Sequence, residues 1–183
     1  MNDRTSPRPT LFNGWRIAGW GSALALLLLP AMAMQFTEEV NWTASDFVFA
    51  AILLGFVGTV IELAARFARP GTARIGYMLA GLTAFLTFWS NAAVGIIGDE
   101  DAVNVFFFLM VLAALVAGMM VRFRAGPMRW IAVMLAIGQY AVGIAALSMM
   151  PGHAVEWGFL TFFALLWLSA AWCFHSAARM REA

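Results

Sequence analysis

The chain has no lysine, a single cysteine, two tyrosines and few charges of either sign. Each shortage closes off a class of protein. Of 183 residues, 11% are charged and 63% hydrophobic, with a mean hydropathy of +0.83. A soluble domain carries about 25% charged residues, so composition points to a lipid environment. The one cysteine, Cys173, sits in an apolar run. It cannot close an intrachain disulfide, and neither a CxxC nor a Cys/His quartet is present to hold zinc; it reads as a small buried or lipid-facing side chain.

Enzyme signatures are missing too. The sequence contains no nucleotide-binding glycine loop, HExxH, GxSxG or pair of aspartates inside an apolar run, so a non-enzymatic role with no cofactor is the expectation. Its basic residues are scattered in short clusters rather than gathered on one groove-reading surface, which sets nucleic-acid binding aside.

What is present is order in the charges. All eleven cations are arginines, in four clusters: Arg4/Arg8/Arg16, Arg66/Arg69/Arg74, Arg122/Arg124/Arg129 and Arg179/Arg181. Alternating with them are Glu38/Glu39/Asp46, Asp99/Glu100/Asp101 and Glu156. Basic and acidic loops that take turns between apolar runs are the mark of a multi-pass protein obeying the positive-inside bias. The uncharged stretches are 17–37, 47–61, 75–98, 102–121, 130–155 and 157–178. About 20 residues at 1.5 Å rise cross a ~30 Å hydrocarbon core, and five of the six reach that length unaided. The second does so only by running on through Glu62.

The expectation is therefore an all-α integral membrane protein, a compact bundle of six transmembrane helices arranged as three hairpins in one domain. The spans fall at about 15–34, 47–65, 75–97, 103–121, 130–149 and 157–175. Residues 1–13 and 176–183 become cytoplasmic tails. Pro70-Gly71, Gly126-Pro127 and Pro151-Gly152 punctuate the loops, and Trp15, Trp42, Trp130 and Trp157 lie at span ends where headgroups favour them. Exclusive use of arginine, with abundant Ala and Gly, hints at a bacterial genome. That places the chain in a bacterial cytoplasmic (inner) membrane with both termini inside, and leaves the sequon Asn41-Trp42-Thr43 idle. A competing reading makes Ala31-Met32-Ala33 a signal-peptidase site; the length of the first apolar run and Gly14, Gly19 and Gly21 favour an uncleaved anchor.

Shifting the chain by 56 residues lays Arg66-Phe67 on Arg122-Phe123, and Ile75, Met78, Leu79 and Ala80 on Ile131, Met134, Leu135 and Ala136. The same shift lays Phe106-Phe107, Leu109, Leu112 and Ala114 on Phe162-Phe163, Leu165, Leu168 and Ala170. Both windows respect the loop map, which suggests that the last two hairpins are an in-parallel duplication.

Polar residues inside spans are the candidate functional groups. Glu62 is the only carboxylate within one, and Arg66 at i+4 is its expected ion-pair partner. Thr83, Thr87 and Asn91 form a stripe with Ser90 beside it, serving either as interhelical glue or as the lining of a polar cavity. Gln139 and Tyr140 are read the same way, as glue or as the lining of a polar cavity, with Gly138 and Gly143 permitting close approach. Near the second helix, Thr43 or Ser45 is a candidate cap and Asp46 suits its positive end. His153 and His175 fall on opposite sides of the membrane, so they cannot ligate one haem. His153, Glu156, Glu38, Glu39, Asp46 and Asp99–Asp101 read as a solvated acidic rim rather than a metal site.

The functional expectation is a membrane protein that acts through helix packing, with the bilayer and a protein partner or a second copy of itself as its contacts. The alternatives are a small transporter or proton pathway using Glu62 and the Thr83/Thr87/Asn91 stripe, and a membrane redox or enzyme component.

Overall fold

The computed structural model describes residues 14–97, 101–149 and 155–181. Arg4, Arg8, Asp99, Glu100, Pro151-Gly152 and His153 lie outside them. The described residues form six α-helices and no strand: α1 Gly14–Ala33, α2 Ala44–Phe67, α3 Gly71–Val94, α4 Asp101–Met120, α5 Ala125–Met149 and α6 Trp157–Arg179. Five are long and apolar enough to cross a membrane. The exception is α3, which is as long as the others but carries Thr83, Thr87, Ser90 and Asn91. Expected and observed ends agree to a few residues. The largest difference is at α5, which starts at Ala125 rather than Trp130. Gly126-Pro127 is thus not the turn but its first turn of helix, where a missing N–H costs nothing.

The turn before α5 is made instead by Arg122 and Phe123, both left-handed at φ 53° and 48°. Phe123 N–H bonds to Gly118 C=O at 2.7 Å and Arg122 N–H to Met119 C=O at 2.9 Å. This is the Schellman pattern of a helix end, with arginine where glycine is usual.

The chain divides into two compact units, residues 1–58 and 59–183. In the first, α1 buries no residue. The Trp20 indole covers Gly58, where a Cβ would come within 2.8 Å of the ring. α2 opens with a one-sided cap: Asp46 Oδ2 accepts from both Thr43 N–H at 2.7 Å and Thr43 O–H at 2.8 Å. Thr43, the expected cap, is thus tied to Asp46.

In the second unit α3, α4, α5 and α6 close a ring, each packing on two neighbours: α3 on α4, α4 on α5, α5 on α6 and α6 on α3. The interior face of α6 repeats at three- and four-residue steps, Leu160, Phe163, Ala164, Trp167, Ala170, Ala171, Phe174, Ala177 and Ala178, all buried. That spacing is the seam of a packed helix, and its alanines let neighbours approach. Gly76 of α3 shows how near they come, since a Cβ there would sit 2.8 Å from the Phe174 ring.

Two apolar layers end this unit. At the end near the arginines, Ala64, Ala68, Ala73, Ala125, Met128, Ala170, Phe174 and Ala177 pack together. At the other end, Ile96, Ile97, Val103, Phe107, Ala146 and Leu160 do so. α3 and α5 run from the first layer to the second, and α4 and α6 run back.

Candidate functional site

The candidate residues are best followed from the basic end of the ring to the acidic end. On α2, Glu62 Oε1 accepts from Arg66 Nε at 2.7 Å, the i, i+4 pair expected. Ala64 and Ala68, on the other face, join the basic-end apolar layer. The pair keeps two costly charges neutralised along one helix. Close by in depth, Arg129 bonds through its NH1 to His175 Nδ1 at 3.0 Å. Its guanidinium also lies over the Trp130 ring, 5.3 Å from the centroid. Arginine can only donate, so His175 Nδ1 is the acceptor. Two further ties cross this end: Tyr77 O–H donates to Phe123 C=O, and Arg181 NH2 donates to Arg69 C=O. None of these three was legible in the sequence, because each joins residues 46 or 112 positions apart.

The α3 stripe is fully internal. Thr83 and Thr87 are buried, but their hydroxyls bond back to their own helix. Thr83 Oγ1 donates to Leu79 C=O at 2.7 Å and Thr87 Oγ1 to Thr83 C=O at 2.8 Å. This i−4 bonding satisfies the hydroxyl proton without a second helix. Asn91 behaves differently: its Nδ2 donates to Asn104 C=O of α4 at 2.8 Å.

Asn104 was not singled out by sequence, yet it holds the acidic-end turn together. Its Oδ1 accepts from Ile96 N–H at 3.1 Å and Ile97 N–H at 3.0 Å, and its Nδ2 donates to Ile97 C=O at 3.3 Å. Gly95, at φ 70°, turns the chain so that these groups face inward. A side chain with both acceptor and donor, one helical turn into α4, is what such a buried turn requires. The clue available in sequence was an asparagine just past an acidic run at a span start.

On α5, Gln139 and Tyr140 part company. Tyr140 O–H donates to Thr161 Oγ1 of α6 at 2.8 Å, an interhelical bond of the expected kind. The glycines beside it do admit neighbours: Cβ atoms at Gly138 and Gly143 would meet Met110 Sδ at 2.5 Å and Leu160 Cδ1 at 2.6 Å. Gln139 faces the ring interior, and among the described residues its Oε1 has no protein donor. The same holds for the indole N–H of Trp167 on α6, which lacks a protein acceptor.

The structure brings Glu62 to Arg66 and Asn91 to Asn104, at opposite ends of the second unit. It does not bring Glu62 to the α3 stripe. Glu38 and Asp46 are exposed, and among the described residues no three His, Cys, Asp or Glu side chains gather where a metal ion would fit. Compared with protein-family models, curated proteins and solved structures, the chain matches none.

Proposed function

We propose that this chain is a six-span protein of a bacterial inner membrane, with its arginine loops and both termini on the cytoplasmic side. It works without catalysis, by packing against a protein partner or a second copy of itself. One observation carries the reading. Each residue of the Glu62 and α3-stripe pathway has a partner within the chain: Glu62 with Arg66, Thr83 and Thr87 with their own helix, and Asn91 through its Nδ2 with Asn104, its Oδ1 alone meeting no donor among the described residues. Apolar layers also close the ring at both ends. Within its own unit α1 covers Gly58 with Trp20 and buries none of its own residues.

The last two hairpins are read as an in-parallel duplication. A shift of 56 residues carries buried Thr83, Thr87, Phe107, Val111 and Gly118 onto buried Gln139, Gly143, Phe163, Trp167 and Phe174. It also carries the α3–α4 contact onto α5–α6, and exchanging the two hairpins turns the α4–α5 contact into α6–α3. A two-fold axis along the membrane normal gives that permutation.

The test is Glu62→Gln in cells and in proteoliposomes. Altered assembly or abundance with unchanged proton and ion flux is expected. A pH-dependent flux in the wild type that vanishes in the variant, with normal insertion, would replace this reading by transport. Reporter tags at Gly71 and Gly126 should stay cytoplasmic.

A further inference from the structure

Between the two apolar layers, the middle of the ring holds four buried polar side chains: Thr83, Thr87, Gln139 and Trp167. The threonine protons are used within α3. Gln139 and Trp167 are 1% and 4% exposed, yet among the described residues an acceptor on one and a donor on the other meet no protein group. A buried polar atom left so is costly even in water-soluble proteins, and hydrocarbon offers no relief.

The two atoms belong to one place. The contacts Tyr140–Thr161 and Gly143–Leu160 fix the antiparallel stagger of α5 and α6. Gln139 therefore lies level with about Phe163, and Trp167 lies roughly one turn, about 5 Å, nearer the basic end. Side chains lean toward the N-terminus of their own helix. Gln139 therefore leans toward the basic end and Trp167 toward the acidic end, each toward the other's level. On α3, the Gly76–Phe174 contact sets Thr83 level with Trp167, and Thr87 one turn on with Gln139.

We infer that the middle of this ring is a binding site for a small neutral hydroxyl compound, water being the smallest, whose O–H donates to Gln139 Oε1 and whose oxygen accepts from Trp167 Nε1–H. One group must both give and accept a proton in a short span, and a hydroxyl does this. A carbonyl compound such as a quinone has nothing to donate to Gln139. An ion would bury its charge with no counter-charge at its level among the described residues, because Glu62 and Arg129 belong to the basic end. The lone pairs of Thr83 and Thr87 remain as further acceptors. The closing layers make the site occluded rather than a pore. This inference stands apart from the partner reading above and survives its failure.

Protein labelled with 15N-tryptophan in lipid nanodiscs gives one indole N–H signal for each of eight tryptophans, and Trp167→Phe identifies the signal of interest. Transfer of magnetisation from a hydroxyl proton to the Trp167 N–H is expected in water. Titrated methanol should move that signal saturably if the site admits an alcohol; transfer from water alone identifies water as the occupant. Gln139→Met, which keeps length and drops the acceptor, should weaken either response at least tenfold while the other seven signals hold their positions. Neither transfer nor a saturable shift in the wild type would overturn the inference, and that measurement decides even if the variant fails to fold. So would a Trp167 signal that Gln139→Met moves although water and methanol leave it untouched, since Gln139 would then bond the indole directly.

Discussion

Replacing Asn104 by leucine removes the partners of three backbone groups at once: the N–H groups of Ile96 and Ile97 and the C=O of Ile97. Both isoleucines are buried, so water does not take over without opening the turn. At about 1–3 kcal/mol for each orphaned group, the low end of the sum is about 3 kcal/mol. Leucine keeps the branching and heavy-atom count of asparagine but is bulkier, so the Ile96 and Ile97 amides are compared with amides elsewhere to isolate the hydrogen-bond loss. Every 1.4 kcal/mol is about tenfold in an equilibrium, so the turn should open about a hundredfold more often. Amide hydrogen exchange of Ile96 and Ile97 in nanodiscs reads that opening directly. Amides in the middle of α5, such as Leu135, serve as the control and should not change. Exchange of Ile96 and Ile97 in Asn104→Leu within about threefold of wild type would show that the clasp does not hold the turn, and the reasoning from buried hydrogen bonds would fail here.

Three other changes bear on the same physics. Arg122→Gly relieves a left-handed residue at φ 53° and should stabilise the protein by about 1 kcal/mol, seen as a higher unfolding midpoint in detergent; a lower one would mean the arginine side chain outweighs the strain. Gly76→Val drives a side chain into the buried Phe174 ring, 2.8 Å from the new Cβ, and should cost about 1–3 kcal/mol; Phe174→Leu in that background should restore part of it, and additive losses would refute the contact. Thr83→Val with Thr87→Val removes hydroxyls bonded only to their own helix and should change stability by about 1 kcal/mol or less; a larger loss would show that another group depends on them.

Local chemistry was readable without a structure wherever its partners lie close in sequence. The i, i+4 spacing gave Glu62–Arg66, and Thr43 with Asp46 announced the start of α2, because a helix brings such residues together whatever surrounds it. Long uncharged runs gave the helix count and their ends to within a few residues, since apolar runs of that length bounded by charges and turn residues favour one continuous helix each. Pattern alone misjudged Gly126-Pro127, which resembles a turn but fits equally well in a first helical turn. Nothing local warns that Arg122 and Phe123 will adopt left-handed geometry. They do so under a helix end closed by Gly118 and a loop gripped by Tyr77 from 46 residues away.

The distribution of arginines, acids and apolar runs determined by itself that the chain makes long helices and in what order, because that depends only on near neighbours and on the solvent each run tolerates. Which faces meet was left to the tertiary structure. Thr83 and Gln139 look alike as polar letters in an apolar run. Only the ring of α3 to α6 separates a hydroxyl that its own helix satisfies from an amide oxygen that is not. Hydrogen bonding is directional and short-ranged, so the fate of a buried polar group is decided by the few side chains that packing sets beside it.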